Sequence, residues 1–386
     1  MDQPRNTGFG RTVTTTSSTS RAVIDLGAYA HNLEVVRQRI PHGCGIMAVV
    51  KTNAYGLGSV PIARRAVETG VEMLGVATVA EGIELCEAGI ELPIVVLVQP
   101  TVDQLPAIIE YGLRMMVSEL ELADLLCEQA RRANRIVPVH CKVDTGMGRA
   151  GIPLTSALEA LRHITRMSHI DVEGVATHFA VAEQTDDTST AEQLQAFKKL
   201  LKEARKAGVP YELAHAANSA AVVNYPESAL DVVRPGLMTY GVWPVNPRGA
   251  EVPLRPVLRW ESRVALVKEL LPGATVGYGR TYTATEGMRA ALIPVGYADG
   301  YPFALGNKAE VLVRGKRCPV RGRVSMDQIV ADVTAHAEVH RGDVVTLIGS
   351  DGNEEITPWE LAERAGTVPN DILTGLGWRV TRAYIA

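Results

Sequence analysis

The chain has 386 residues and a formal net charge of −4, from 39 basic and 43 acidic side chains. This near balance argues against a basic surface for nucleic acid. The longest apolar runs, such as residues 92–98, are far shorter than the roughly 18 residues that a membrane span needs. We therefore expect a protein that binds neither nucleic acid nor membranes.

The five cysteines are odd in number and widely scattered, and no Cys-x-x-Cys spacing occurs. Neither a metal site nor a disulfide framework is therefore expected, and reduced thiols in the cytoplasm are the simplest interpretation. Residues 1–20 are polar and lack the apolar segment of a signal peptide. We expect them to form a flexible extension.

After residue 20, short β-type runs alternate with amphipathic helical patterns. Eight strands are predicted, at residues 46–51, 73–78, 93–98, 114–118, 137–144, 172–179, 212–218 and 230–234. Helical patterns between them include residues 60–70, 79–89, 119–133 and 191–208. Eight strand–helix cycles predict a (β/α)8 barrel of the TIM type, occupying residues 21–247. An open doubly wound sheet is the alternative, but no Gly-x-Gly-x-x-Gly follows the first strand.

Beyond residue 247 the long helical periods disappear. Strand-like runs at 257–270, 288–295, 309–313, 329–333 and 344–348 are separated by Gly and Pro. Two short helices are predicted at 358–365 and 370–376. This pattern predicts a mostly β C-terminal domain over residues 248–386.

Polar residues follow several predicted barrel strands. Lys51, Asp144, His178 and Arg234 lie at the ends of four strands, and Ser219 follows another. Active sites of such barrels lie at the carboxyl ends of the strands, so these side chains should converge on one face. The segments after strands seven and eight are also where barrels commonly bind phosphate.

The fifth predicted strand carries an unusual inward face. Because side chains alternate along a strand, His140, Lys142 and Asp144 share the face opposite to the apolar one. A buried lysine is costly unless it is paired or neutralised. Asp144 is the simple partner for Lys142, and conversion of its amine to a carbamate is the alternative.

Seven motifs in chain order carry a resemblance to a known family. They are VKTNAYG at 50–56, KVDTGMGR at 142–149, THFA at 177–180, VRPG at 233–236, GYGRTY at 277–282, PVGYADG at 294–300 and SMD at 325–327. Together they make the chain resemble the alanine racemase family of barrel-type enzymes that depend on pyridoxal 5'-phosphate (PLP). The resemblance covers nearly the whole chain after residue 20.

The resemblance assigns roles to residues of both domains. Lys51 and Tyr278 would be the two acid/base catalysts, one for each face of the substrate. The residues implied to bind PLP are Lys51 (as a Schiff base), Tyr55, His178, Asn218, Ser219, Arg234, Gly236 and Leu237. The residues implied to lie near the substrate are Arg149, Tyr297, Met326 and Asp327. Lys142 is a possible carbamylated lysine.

Arg234 is the most informative of these. An arginine stays cationic, so beside the pyridine nitrogen of PLP it would disfavour protonation there. Such a site should suppress transamination and favour exchange of the α-proton. The resemblance therefore implies racemisation of alanine by a two-base mechanism, in the pathway that supplies D-alanine for peptidoglycan.

In this family the catalytic tyrosine comes from the partner subunit, which implies a head-to-tail homodimer. One departure concerns residue 378, where the family often has a tyrosine that reaches the phosphate and this chain has Trp378. We expect this change to reshape the pocket wall and to relax the preference for alanine.

Three other functions stay open at this level. A broader-specificity or serine racemase of the same class is the nearest alternative. A non-catalytic PLP-binding barrel would lack the second domain. A barrel-type amino-acid decarboxylase usually has a catalytic cysteine where this chain reads Ser325-Met326-Asp327, and Cys318 lies outside that motif.

Overall fold

The computed structural model describes residues 19–244 and 253–386. Its first half alternates strands with helices. The strands are β1 (Arg21–Asp25), β2 (Gly45–Val49), β3 (Met73–Val76), β4 (Ile94–Val96), β5 (Arg114–Val117), β6 (Val137–Asp144), β7 (Ile152–Pro153), β8 (Ile170–Ala176), β9 (Leu213–His215) and β10 (Val232–Val233). The helices are α1 (Leu26–Arg37), α2 (Lys51–Tyr55), α3 (Ser59–Glu68), α4 (Val79–Glu87), α5 (Leu105–Tyr111), α6 (Leu120–Arg132), α7 (Ala157–Ile164), α8 (Ser189–Lys206) and α9 (Ser219–Asn224).

Eight parallel strands close into a barrel in the order β10-β2-β3-β4-β5-β6-β8-β9, and short β7 is added beside β6. Backbone hydrogen bonds from Asp231 to Ala214 (3.0 Å) and from Arg234 to Ala217 (2.8 Å) join β10 to β9 and complete the circle. The strands are apolar and buried because helices cover them outside and side chains fill them inside. The predicted (β/α)8 barrel is confirmed.

Most predicted elements are found, with shorter strands near the end of the barrel. The strand at 137–144 has the predicted bounds, whereas those at 212–218 and 230–234 shrink to three and two residues. The prediction that Lys51 ends a strand is wrong, because β2 stops at Val49 and Lys51 begins the turn α2. The polar side chains therefore lie mostly on turns that leave the strands.

The second half is mostly β, as predicted. Its strands are β11 (Leu258–Arg263), β12 (Leu266–Leu270), β13 (Thr275–Val276), β14 (Tyr282–Thr283), β15 (Met288–Ile293), β16 (Glu310–Val313), β17 (Lys316–Pro319), β18 (Ile329–Asp332), β19 (Val344–Asp351), β20 (Glu354–Ile356) and β21 (Thr381–Ile385). Two helices accompany them, α10 (Pro358–Ala365) and α11 (Pro369–Thr374). The main sheet has the order β17-β16-β19-β11-β1-β21, and β12-β15-β18 form a second one.

The start of the described chain is part of this main sheet. β1 pairs antiparallel with β11 and parallel with β21, although the sequence analysis placed residue 21 onward in the barrel domain. Ser20, expected to end a flexible extension, is buried and accepts a 2.9 Å hydrogen bond from the Trp260 indole. The expected boundary at 247/248 and most of the expected extension, residues 1–18, lie outside the described residues.

Among the described residues, no helix combines the length and apolar character that crossing a membrane requires.

Candidate active site

A pocket of about 420 Å³ lies at the carboxyl ends of the barrel strands. It gathers most of the polar residues that the sequence analysis selected from separate strand ends. Those that line it are Lys51, Tyr55, Lys142, Arg149, His178, Asn218, Ser219, Arg234, Gly236 and Leu237. Residues of the second domain, Trp359, Val368, Pro369 and Asn370, close one side of it.

Lys51 and Tyr55 enter this pocket from the two ends of a left-handed turn. Thr52, Asn53 and Ala54, together with Tyr55, all have φ between 50° and 56°. That conformation costs roughly 1–2 kcal/mol per residue for L-amino acids. Several such residues in succession need support from outside the turn, and strain of this kind clusters at functional sites.

Hydrogen bonds from neighbouring elements supply that support. The Thr52 N–H donates to Glu81 Oε1 at 2.6 Å, and the Asn53 side chain accepts from the Ser59 N–H at 2.8 Å. The other Glu81 oxygen accepts from the Ala77 N–H at 2.7 Å, at the start of α4. Glu81 therefore ties the turn that carries Lys51 to the end of the adjacent strand.

The environment of Lys51 favours its neutral form. Burial lowers the pKa of the Lys51 amine, the nearby cations Arg149 and Arg234 lower it further, and Glu81 opposes them. A larger neutral fraction makes the amine a better nucleophile and a better proton acceptor.

Arg234 is buried beside Lys51 and is held by four hydrogen-bonding partners. Its Nη2 donates to the carbonyls of Thr177 (2.7 Å) and Ala216 (3.0 Å) and lies 3.2 Å from His178 Nδ1, while Nη1 lies 2.7 Å from His215 Nδ1. Burial lowers the pKa of Arg234 to about 10, so it is still a cation at neutral pH. The network fixes the plane of the guanidinium group.

His178 is kept uncharged by burial and by the cations around it. Burial, followed by the charges of Arg234, Lys142, Arg149 and Lys51, lowers the pKa of His178 to about 3. A neutral imidazole can accept from Arg234 through Nδ1.

Ser219, Gly236 and Tyr55 form a cradle that lines part of the pocket. Ser219 Oγ accepts from the Gly236 N–H at 2.8 Å and from the Met238 N–H at 3.3 Å. The Tyr55 hydroxyl occupies the space where a Cβ on residue 236 would stand, so only glycine fits. The ring of Tyr55 packs 4.5 Å from that of Tyr240, which orients its hydroxyl toward this cradle.

Asn218 lies beside the cradle, and its side chain forms a hydrogen bond with the backbone. Its Oδ1 accepts from the Ala221 N–H at 3.0 Å and caps α9. This cap fixes where α9 begins and therefore where Ser219 stands.

The simple pairing expected for Lys142 is wrong. The Asp144 carboxylate accepts from the N–H groups of Gly146 (2.9 Å) and Gly148 (3.0 Å), and none of the ion pairs found among the described residues joins it to Lys142. Burial and the cations Arg149 and Arg234 lower the pKa of Lys142 to about 8. Lys142 is thus a buried amine whose pKa lies well below the ordinary value for lysine.

The second-domain residues assigned by resemblance do not line this pocket of the single chain. Tyr278 is 74% exposed, and Tyr297 and Met326 are also exposed. Asp327 forms a 2.7 Å ion pair with Arg379, which also binds Asp299.

Trp378 does not line this pocket of the single chain, although the sequence analysis expected it to form part of a pocket wall. It is 89% exposed and lies beside Thr52 and Asn53 on the outer side of the left-handed turn. Cys318, by contrast, is fully buried, and burial raises the pKa of its thiol to about 12. Burial therefore disfavours a thiolate at that position.

The sequence analysis missed three residues that shape the site. Glu81 lies three positions after Thr78, a capping-box spacing that signals a helix start but not a tie to Lys51. His215 and Glu173 belong to a row of hydrogen bonds that begins at Arg234 and passes through His140. Their partners come from other strands, so no local pattern identifies them.

Comparisons with known proteins agree with this geometry. Residues 24–244 match the family "Alanine racemase, N-terminal domain", and residues 257–384 match "Alanine racemase, C-terminal domain". The alanine racemase of Symbiobacterium thermophilum is 44% identical over 363 residues, which cover 94% of this chain and 96% of that protein. That of Halothermothrix orenii is 41% identical over the same coverage.

Solved structures show the same architecture. The alanine racemase from D-cycloserine-producing Streptomyces lavendulae superposes with a TM-score of 0.91 at 37% identity, covering 96% of this chain and 98% of that one. The enzyme from Bartonella henselae, solved with covalently bound pyridoxal phosphate, gives 0.86 at 30% identity over 95% and 99%. Both domains match over most of their length, and the chain belongs to the alanine racemase family.

Proposed function

We propose that this protein interconverts L- and D-alanine, using PLP held in the Lys51 pocket. The observation that carries the proposal is the pairing of two groups in one pocket. A lysine whose pKa is lowered by burial and by neighbouring cations stands beside Arg234, a buried guanidinium fixed by four partners. Membership of the alanine racemase family supports the same activity.

The residues fit PLP at each of its functional groups. Lys51 would form the covalent bond to the aldehyde carbon. The cradle around Gly236, with the Ser219 and Tyr55 hydroxyls, would hold the phosphate, because hydroxyl and backbone N–H donors suit an anion. Arg234 and His178 would flank the ring.

Arg234 directs the reaction toward proton exchange. PLP, when bound, increases the acidity of the α-proton of an amino acid attached to it. A guanidinium has only donors and keeps its proton at a pKa of about 10, so it does not hand a proton to a pyridine nitrogen. Arg234 would therefore limit how strongly the ring of bound PLP withdraws negative charge, which would favour return of the proton to the α-carbon.

Racemisation needs a proton carrier on each face of the α-carbon. The Lys51 Nζ, with its lowered pKa, takes or returns the proton on one face. We assign the other face to the hydroxyl of Tyr278 from a second subunit, because Tyr278 is exposed and stands outside the pocket of its own chain. A head-to-tail homodimer would bring it there, along with Tyr297, Met326 and Asp327. Arg149 would then meet the substrate carboxylate.

Serine and other small amino acids are the substrates to compare with alanine. A pocket that differs by a methylene or a hydroxyl discriminates by only about 10- to 200-fold. All five cysteines are free, which supports our assignment of the protein to the cytoplasm.

The proposal is tested by incubating the purified protein with PLP and single L-amino acids, followed by chiral chromatography. We expect D-alanine to form, and L-alanine to form from D-alanine. A protein that binds PLP but yields pyruvate, an amine or no product would contradict the proposal. Mutating Arg234 to Glu should increase transamination, which is measured as pyruvate.

A further inference from the structure

A row of hydrogen-bonded polar side chains leads from the buried Arg234 inside the barrel to Glu173, which is partly buried. Arg234 contacts His215 on β9 (2.7 Å), His215 Nε2 contacts His140 Nδ1 on β6 (2.8 Å), and His140 Nε2 contacts Glu173 Oε2 on β8 (3.0 Å). Arg114, the first residue of β5, donates to the same Glu173 oxygen at 3.3 Å. We call Arg234, His215, His140 and Glu173 the relay.

The ends of the relay fix the direction of every hydrogen bond in it. A guanidinium only donates, so His215 Nδ1 accepts and its proton is on Nε2. His140 Nδ1 then accepts from that N–H, which places the His140 proton on Nε2, where it is donated to the carboxylate of Glu173. Both imidazoles are neutral in this arrangement, since an extra proton on either ring would set two donors against each other.

The surroundings of the two rings support this arrangement. Both histidines are fully buried, and burial, followed by the charge of Arg234, places the pKa of His215 far below its ordinary value. Gly174 faces the His140 ring so closely that any Cβ there would overlap Nδ1. The barrel is therefore shaped to accept the His140 imidazole in one position.

We propose that His215, His140 and Glu173 are positioning residues for the reaction: they form a one-way relay that holds the Arg234 guanidinium in the plane needed at the cofactor ring. What Arg234 faces rests on the function proposed above, whereas the relay itself is a property of this chain. Glu173 is the terminal acceptor that selects the tautomer of both rings.

Loss of the Glu173 carboxylate should change the tautomers of both histidines along the relay. Without the Glu173 carboxylate, His140 is free to carry its proton on Nδ1, where it would face the His215 Nε2–H. His215 must then move its proton to Nδ1, and that N–H would oppose the donors of Arg234. The guanidinium would rotate away from His215, and its end in the pocket would move with it.

Histidine tautomers are measured directly by nitrogen-15 NMR of protein labelled at histidine, without added PLP. We expect two neutral imidazoles protonated at Nε2, with slowly exchanging ring protons, assigned to His215 and His140 by single replacement of each with Gln. An Nδ1-protonated or doubly protonated state at either ring would overturn the proposal. This test uses the unchanged protein, so it does not depend on whether a variant folds.

Two substitutions separate acceptor geometry from bulk. Glu173→Gln keeps a carbonyl oxygen that accepts from His140, and it should retain both tautomers. Glu173→Leu removes the acceptor, and it should give mixed tautomers at both rings. Asp171→Asn, an exposed position two residues earlier on the same strand, is the matched control and should change nothing. Unchanged tautomers in Glu173→Leu would refute a directing role for Glu173.

The kinetic readout uses the PLP-loaded protein. A displacement of about 1 Å at a group that orients a reaction can cost on the order of a hundredfold, so Glu173→Leu should lower kcat by ten- to a hundredfold with little change in KM. Glu173→Gln should recover most of it. A higher KM with an unchanged kcat would overturn the positioning role. If the unchanged protein racemises no amino acid, the proposed function fails while the tautomer result still decides the relay.

Discussion

Lys142 should react with carbon dioxide to form a carbamate at physiological pH. Its pKa of about 8 leaves roughly a tenth of the amine neutral at pH 7, against about 0.03% for an ordinary lysine with a pKa near 10.5. The reactive species is therefore increased by about 300-fold. In the reaction the neutral nitrogen bonds to the carbon of CO₂ and one proton is released, which leaves an anion in place of a cation.

The electrostatics of the site favour the product. Arg149 and Arg234 both lower the pKa of Lys142, which means that they repel a positive charge there and would attract a carbamate. Asp144 opposes this, but its carboxylate is occupied by the N–H groups of Gly146 and Gly148.

The assay is carbon-13 NMR of the protein equilibrated at a fixed concentration of dissolved labelled CO₂. The initial rate of labelling should rise tenfold per pH unit below pH 8 and level off above it, because the neutral amine is then the major form. Lys142→Met should remove the signal, and Lys198→Met, on the outer helix α8, should leave it. A signal absent at Lys142, or one that keeps rising toward pH 10, would refute the reasoning.

Four further predictions follow from the site. Borohydride reduction of the PLP-loaded protein should label Lys51, and a label on another lysine would contradict the assignment. Tyr278→Phe should lower racemisation by about 10²–10⁴-fold, while deuterium exchange from solvent survives for one enantiomer; near-normal rates in both directions would exclude Tyr278. Glu81→Ala should lower the free energy of unfolding by about 1–3 kcal/mol in denaturant titrations, whereas exposed Glu84→Ala should not. Trp378→Tyr should leave the alanine-to-serine ratio unchanged, and a clear shift would restore Trp378 to the pocket.

The barrel and its site face could be predicted because both follow from local pattern and one topological rule. Each strand–helix cycle leaves its own signal in the sequence. Parallel strands must end on the same face, so Lys51, His178, Ser219 and Arg234 could be grouped without knowledge of any contact between them. The structure brings all four into one pocket.

Sequence spacing was misleading where a local hydrogen bond competed with a side-chain pair. Lys142 and Asp144 are two residues apart on one strand and share a face, which favoured an ion pair. Asp144 is the last residue of β6, and the turn that follows presents the N–H groups of Gly146 and Gly148 to its carboxylate. The backbone already holds those donors in position, so binding them orders no long side chain. An ion pair with Lys142 would instead cost the conformational entropy of the lysine side chain.

Trp378 shows the limit of reasoning from motif position. Its neighbours Gly377 and Arg379 are fixed: Gly377 donates its N–H to the carbonyl of Asp299, and Arg379 binds the Asp299 carboxylate. The backbone course is therefore set by these contacts, and the side chain at 378 points to solvent. The motif specifies where the backbone runs, but the direction of one side chain depends on a second-domain carboxylate 79 positions earlier.

The relay marks the boundary of prediction most clearly. The alternation of β6 already places His140 inside the barrel, yet it says nothing about what the ring meets there. Its partners His215 and Glu173 are 75 and 33 positions away, on strands whose relative register is set only when the barrel closes. Within the sequence, this arrangement is marked locally by Gly174, where the His140 ring occupies the space that a Cβ would need. A glycine in a barrel strand opposite a buried histidine thus indicates that the imidazole ring packs against the glycine. The polar partner that orients the ring can be identified only in the closed barrel.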